Sequence, residues 1–156
     1  MEKENVMAVF FLLSGWQEKV GKHALRVETG IREERKGIKV KRVRLTVAYD
    51  GTNYRGWQVQ PNGITIEQVL NEKLSALLGE EIVVTGASRT DSGVHSLGNI
   101  AIFDTNTRMP AEKISFALNQ RLPEDIVVQD SREVPSDWHP RYQNSRKTYE
   151  YRILNR

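Results

Sequence analysis

From residue 43 onward the apolar positions fall into regular patterns. In VRLTVAY, Val43, Leu45, Val47 and Tyr49 alternate with Arg44, Thr46 and Ala48, the period of a half-buried strand. Asp50-Gly51 is a turn pair, and a loop rich in Gly and Asn runs on to Gly63. Ile66, Val69, Leu70, Leu74, Leu77 and Leu78 then recur at helical spacing. Thr65 stands at capping-box spacing from Gln68, and Gly79 is a natural stop. The expected helix covers residues 66–78.

Ile82 to Thr85 reads as a short strand and Asn99 to Asp104 as another. Pro110 suits the first turn of a second helix, carried on by Ile114, Phe116, Ala117 and Leu118 and broken by Pro123. Ile126 to Gln129 is a further strand. A last one runs from Thr148 to Leu154, with Tyr149, Tyr151 and Ile153 on one face. The order β-α-β-β-α-β plus a final strand predicts an α+β, ferredoxin-like fold: an antiparallel sheet with two helices on one face. Many RNA-binding modules share that fold, but a fold alone does not give a function.

Residues 1–38 lack this patterning and read as an extension before a domain of residues 39–156. MAVFFLLSGW, from Met7, is a continuous apolar run, far shorter than the ~20 residues that span a bilayer. The preceding MEKEN carries no net positive charge and no small-residue cleavage site follows, so a secretory leader is not indicated. A cytoplasmic protein without membrane association is expected.

Composition narrows the chemistry. At 156 residues, with 38% hydrophobic and 28% charged and a mean hydropathy of -0.54, the chain suits one domain with a real core. It has no cysteine, which removes disulfides, zinc–thiolate sites and thiol nucleophiles. His23, His95 and His139 show no ligand spacing, so no metal is expected. The net charge of +3 is a mild excess. Two clusters concentrate it: Lys39, Lys41, Arg42 and Arg44, and then Arg141, Arg146, Lys147, Arg152 and Arg156. Charge runs of this kind are ordinarily solvated faces, and they are weak support for a polyanionic partner.

The candidate chemistry lies in GASRTDSGVHS, residues 86–96. Three readings compete for Asp91. An aspartic protease would need its Asp-Ser-Gly after an apolar strand and a second carboxylate to share a proton; the flanking Ser88, Arg89 and Thr90 and the α+β order speak against it. A turn would use Asp91 to accept backbone amides, with Ser92-Gly93 completing it and Arg89 as a salt-bridge partner. A catalytic carboxylate would use Arg89, two places away and on the same side of an extended backbone, to favour the ionised form. On spacing alone the turn is favoured. An RRM-like RNA binder would need aromatics on its central strand, and NIAIFD offers only Phe103.

The motifs taken in order change this balance. AYDGTNYRGWQ, SRTDSGVHS, LNQRLPEDI, WHPRY and RKTYEYRILN resemble the tRNA pseudouridine synthase A family over residues 41–156, and Arg-Thr-Asp-Ser-Gly-Val-His is the most specific of them. The resemblance implies isomerisation of uridine to pseudouridine at positions 38 to 40 of the tRNA anticodon stem-loop, with no cofactor and no metal. It implies Asp91 as the nucleophile, attacking at C1′ of the ribose or C6 of the uracil. It implies that Arg89 assists flipping of the target base, and that Tyr149 packs on the flipped uracil, where stacking contributes ~1–3 kcal/mol. Trp138, His139, Pro140, Arg141 and Tyr142 match a segment that contacts tRNA. Gly93 and His95 look loop-shaping, Tyr151 reads as a core tyrosine, and the YDG and GWQ motifs take a mainly structural role around the cleft. Ser88 stands where the family usually has Gly. The family also has a second, related half after this point, which completes the cleft and contributes to a homodimer. The chain is therefore expected to be an N-terminal part, with defective catalysis and plain RNA binding as the alternative.

Overall fold

The computed structural model describes residues 40–143, 146–151 and 153. Residues 39–144 form one compact unit, and the described residues after it are grouped in a second. The first unit runs β1 (Lys41–Tyr49), α1 (Ile66–Leu78), β2 (Thr85–Gly86), β3 (Ser96–Thr105), α2 (Ala111–Asn119) and β4 (Ile126–Val134). All strand pairs are antiparallel, in the order β2-β3-β1-β4. This is the expected ferredoxin-like α+β arrangement.

The alternation in β1 decides which face is inside. Val43, Leu45, Val47 and Tyr49 are buried, and they join Leu70 and Leu74 of α1, Ile114 and Leu118 of α2, Ala101 and Phe103 of β3, and Ile126 and Val128 of β4 in one core. Both helices therefore cover the same sheet face. Phe103 is committed to that core, so it cannot offer a ring to a base as an RRM strand does.

The ends of α1 follow its sequence signals. Thr65 Oγ1 accepts the Gln68 amide at 3.3 Å, and Gly79, left-handed at φ 69°, donates to the Ser75 carbonyl. The reciprocal half of a capping box is not made, because the Gln68 side chain reaches Glu72 instead.

Four elements differ from expectation, and the mildest is β3, which runs from Ser96 to Thr105 rather than from Asn99 to Asp104. Ile82–Val84 is not a strand: the Ile82 amide donates to Ser75 Oγ at 2.9 Å and the Val84 amide to Asn71 Oδ1 at 2.8 Å. These amides are satisfied by helix side chains, so the ladder starts only at Thr85. β4 extends past Gln129 to Val134, because polar Ser131 takes a core position. Its hydroxyl donates to the Ala111 carbonyl at 2.6 Å and accepts the Ser115 amide at 2.8 Å, which removes the cost of burying it. In the expected last strand, Thr148, Tyr149, Glu150, Tyr151 and Ile153 take no place in a sheet. Alternation specifies a face, but a strand also requires a regular ladder with a neighbouring strand. The apolar run from Met7 lies outside the described residues, as do Arg152 and Leu154.

A candidate nucleophile loop and its cleft

The loop that carries Asp91 is held at both ends. At its start, the buried Asn99 side chain accepts the Ser88 amide at 3.2 Å and donates to the Ser88 carbonyl at 3.1 Å. Both bonds are to the Ser88 backbone. At its end, Ser96 begins β3.

Between these points the loop lies on residues 49–57. The Trp57 amide donates to the Thr90 carbonyl at 3.0 Å, and the Thr90 hydroxyl meets the Tyr49 hydroxyl at 2.7 Å. The Tyr54 carbonyl accepts both the Gly93 amide and the Ser92 hydroxyl, each at 3.2 Å. A turn closes from the Val94 amide to the Asp91 carbonyl at 3.2 Å, with Gly93 left-handed at φ 78°. Two glycines of the earlier motif permit this contact. A Cβ on Gly56 would stand 2.5 Å from the Thr90 carbonyl oxygen, and one on Gly51 would be closer still to that of Val94.

His95 ties the YDG turn to the same loop. Its Nδ1 lies 3.1 Å from the Gly51 amide and 3.0 Å from Asp50 Oδ1. One ring nitrogen cannot serve both partners. The amide can only donate, so Nδ1 accepts from it when the ring hydrogen is on Nε2, and donation to Asp50 requires a hydrogen on Nδ1. Asp50 itself is held below its usual value, first by the Thr52 hydroxyl and amide.

Asp91 is the exception in its loop. Thr90, Ser92, Gly93 and Val94 each make a hydrogen bond, whereas the Asp91 carboxylate is exposed and makes no hydrogen bond or ion pair among the described residues. The turn uses its backbone carbonyl, not its side chain. Arg89 is also exposed and forms no ion pair with Asp91 among the described residues, so the salt-bridged turn expected on spacing alone does not form. Instead the two side chains share the wall of an open cleft of about 550 Å³ with Arg55, Gln58, Val59, Gln60, Asn62, Thr90 and Ser92. Sequence reading missed the residue 55–62 wall, whose only signal was its place inside the AYDGTNYRGWQ motif and the polar loop after it.

The expected RNA-contacting segment lies at the base of the loop. Trp138 is half-buried and its carbonyl accepts Arg42 Nη1 at 3.2 Å, while Arg42 makes a paired contact with Asp104 at 2.8 and 2.9 Å. Arg141 Nε donates to the Gly86 carbonyl at 3.0 Å, just before the Asp91 loop begins. Pro140 is buried. The His139 and Tyr142 rings pack with centroids 4.7 Å apart, and Tyr142 is 84% exposed. Burial, and then the positive charges of Arg141 and Arg42, push the His139 imidazole below its usual value. Part of this segment is therefore structural, buttressing the loop, while Tyr142 is open to a partner. Tyr149 belongs to the second unit. Among the described residues no helix is long and apolar enough to cross a membrane.

The sequence model of a family described as tRNA pseudouridine synthase matches residues 45–143. The chain is 50% identical over 116 residues to a tRNA pseudouridine synthase A from Ruminiclostridium cellulolyticum, covering 74% of this chain and 47% of that one. It is likewise 50% identical over 117 residues to proteins of that name from Thermoanaerobacter sp. and Clostridium acetobutylicum, covering 75% of this chain and 48% of each. The chain thus spans about half the length of the curated relatives it matches. The matched region contains all of the cleft.

Proposed function

The chain belongs to the tRNA pseudouridine synthase family, and we propose that it carries the catalytic part of an enzyme that isomerises uridine to pseudouridine in tRNA, with Asp91 as the nucleophile. The observation that carries this reading is the contrast within one loop: each neighbour from Thr90 to Val94 is hydrogen-bonded, and the Asp91 carboxylate has no partner among the described residues and lines a cleft with Arg89. A structural aspartate would be spent on a partner. A nucleophile needs a fixed backbone and an unspent carboxylate.

In the proposed reaction a carboxylate oxygen attacks at C1′ of the ribose or at C6 of the uracil. On either route the N1–C1′ bond breaks, the base turns in place, and C5 bonds to C1′. The C5 hydrogen is released, N1 takes up a proton, and the carboxylate is freed, so substrate and product are isomers. Since no cofactor is consumed, the work falls on positioning, on holding the detached base, and on keeping water from it. The target nucleotide is the uridine of the anticodon stem-loop at positions 38 to 40. It has to leave the helix, and Arg89 is the residue proposed to assist that step and hold the strand. Tyr149 is proposed to stack on the flipped uracil, and Trp138 to Tyr142 to contact the RNA around it. A homodimer in the cytoplasm completes the reading.

Tritium release from tRNA labelled at C5 of uridine tests it. Release by the parent chain that vanishes in Asp91→Asn, with tRNA binding largely retained, is the expected result. Release by Asp91→Asn at the parent rate would remove Asp91 from the role. Binding without release by the parent would favour a chain that binds RNA but does not isomerise it, in keeping with its coverage of about half of its relatives.

A further inference from the structure

We propose that Arg55 is a second phosphate-binding residue of the cleft, gripping the RNA backbone beside the nucleotide presented to Asp91; this rests on the reading of the cleft as a tRNA site. The pattern that carries the family resemblance, Tyr-Asp-Gly-x-x-Tyr-x-Gly-Trp-Gln, leaves the position between Tyr54 and Gly56 open, and this chain fills it with arginine.

The backbone around Arg55 is fixed. Its amide donates to the Ile64 carbonyl at 2.8 Å. Tyr54 before it is buried, and Gly56 after it lies against the Thr90 carbonyl. Its aliphatic stem lies over Gly63, where an added Cβ would come 2.8 Å from Arg55 Cγ and 3.6 Å from its Nε. Gly63 therefore leaves the room that the stem occupies, and a packed stem loses less side-chain freedom when the head binds.

The Arg55 guanidinium makes no hydrogen bond or ion pair among the described residues. Arg42 is committed to Asp104 and the Trp138 carbonyl, Arg132 to Asp130, and Arg141 to the Gly86 carbonyl. Arg55 and Arg89 form no ion pair among the described residues, and both line the cleft with Asp91. Two unneutralised guanidiniums beside an attacking carboxylate call for an anion brought by the substrate, and a phosphodiester is the anion that a nucleotide brings. Each planar guanidinium can make paired hydrogen bonds to phosphate oxygens. Two such grips on one strand would fix the backbone where the base swings out.

The test is equilibrium binding of an unmodified tRNA transcript across a salt series by the parent chain, Arg55→Ala and Arg55→Lys, with tritium release at limiting tRNA alongside. For Arg55→Ala the expected result is weaker binding, on the order of tenfold at low salt, and a plot of log affinity against log salt shallower by about one. Release at limiting tRNA should fall along with the affinity, and Arg55→Lys should recover the slope. Unchanged slope and affinity in Arg55→Ala overturn the proposal. Arg55 is exposed, so the fold should persist, and an unchanged melting temperature checks this. Parent binding that is steep in salt but gives no release would sink the enzymatic reading while the slope still judges Arg55. Absence of tRNA binding by the parent overturns both.

Discussion

A Cβ added to Gly51 would stand 2.1 Å from the carbonyl oxygen of Val94, well inside any contact a real Cβ makes. The neighbouring atom is backbone, so relief requires the chain to move. The motif around residues 49–57 is thus a floor shaped to the underside of the Asp91 loop, and its glycines set how closely the two can meet.

Gly51→Ala should therefore damage the site more than the fold. The expected cost is about 1–3 kcal/mol, as for overpacking elsewhere, and tritium release should fall by far more than tRNA binding does. Urea unfolding and paired binding and release assays check both parts. A variant with parent stability and parent turnover would show that the loop does not depend on that close approach.

Much of this was legible beforehand, and the failures share a cause. α1 ends where Thr65 and Gly79 say it should because caps are local chemistry. The Asp91 loop stood out in the sequence because its motif is contiguous. The strand expected over Ile82–Thr85 misled because the Ile82 and Val84 amides find partners on α1, which no local pattern reveals. β4 looked too short because Ser131 is a polar residue in a core slot, satisfied only by α2. The cleft wall from Gln58 to Asn62 was hidden for the same reason. Its residues are an irregular loop in sequence and become a wall only when the loop folds against Asp91's neighbours.

Tyr54 joins this floor to the start of β4. Its hydroxyl donates to Asp125 Oδ1 at 2.5 Å, and the Asp50 amide donates to the Asp125 carbonyl at 2.9 Å. Burial first, and then Asp125, push the Tyr54 phenol above its usual value of 10. A raised folded value favours the protonated phenol, so its stabilisation is complete below pH 10 and is lost as pH rises beyond it. Tyr54→Phe should cost about 1 kcal/mol at neutral pH and should lose less stability than the parent above pH 10. Equal alkaline losses in urea melts of the two proteins would show that this phenol is not responsible.

His139 gives the opposite end of the pH range. Its folded value lies below the ordinary 6.5 because burial, Arg141 and Arg42 all disfavour the imidazolium. Above pH 6.5 the ring is neutral in folded and unfolded chains alike, and its contribution is fully present. As pH falls from 6.5 through the lower folded value, the unfolded chain takes up its proton first, and stability drains away. The strain falls on residues 138–142, which are tied to β1 through Arg42 and to the start of the Asp91 loop through the Gly86 carbonyl. His139→Gln should therefore lose less stability than the parent between pH 7.5 and pH 5. The difference between the two urea midpoints isolates this one group from the other carboxylates and histidines that titrate alongside it. Midpoints that fall in parallel would remove His139 as the source of acid sensitivity.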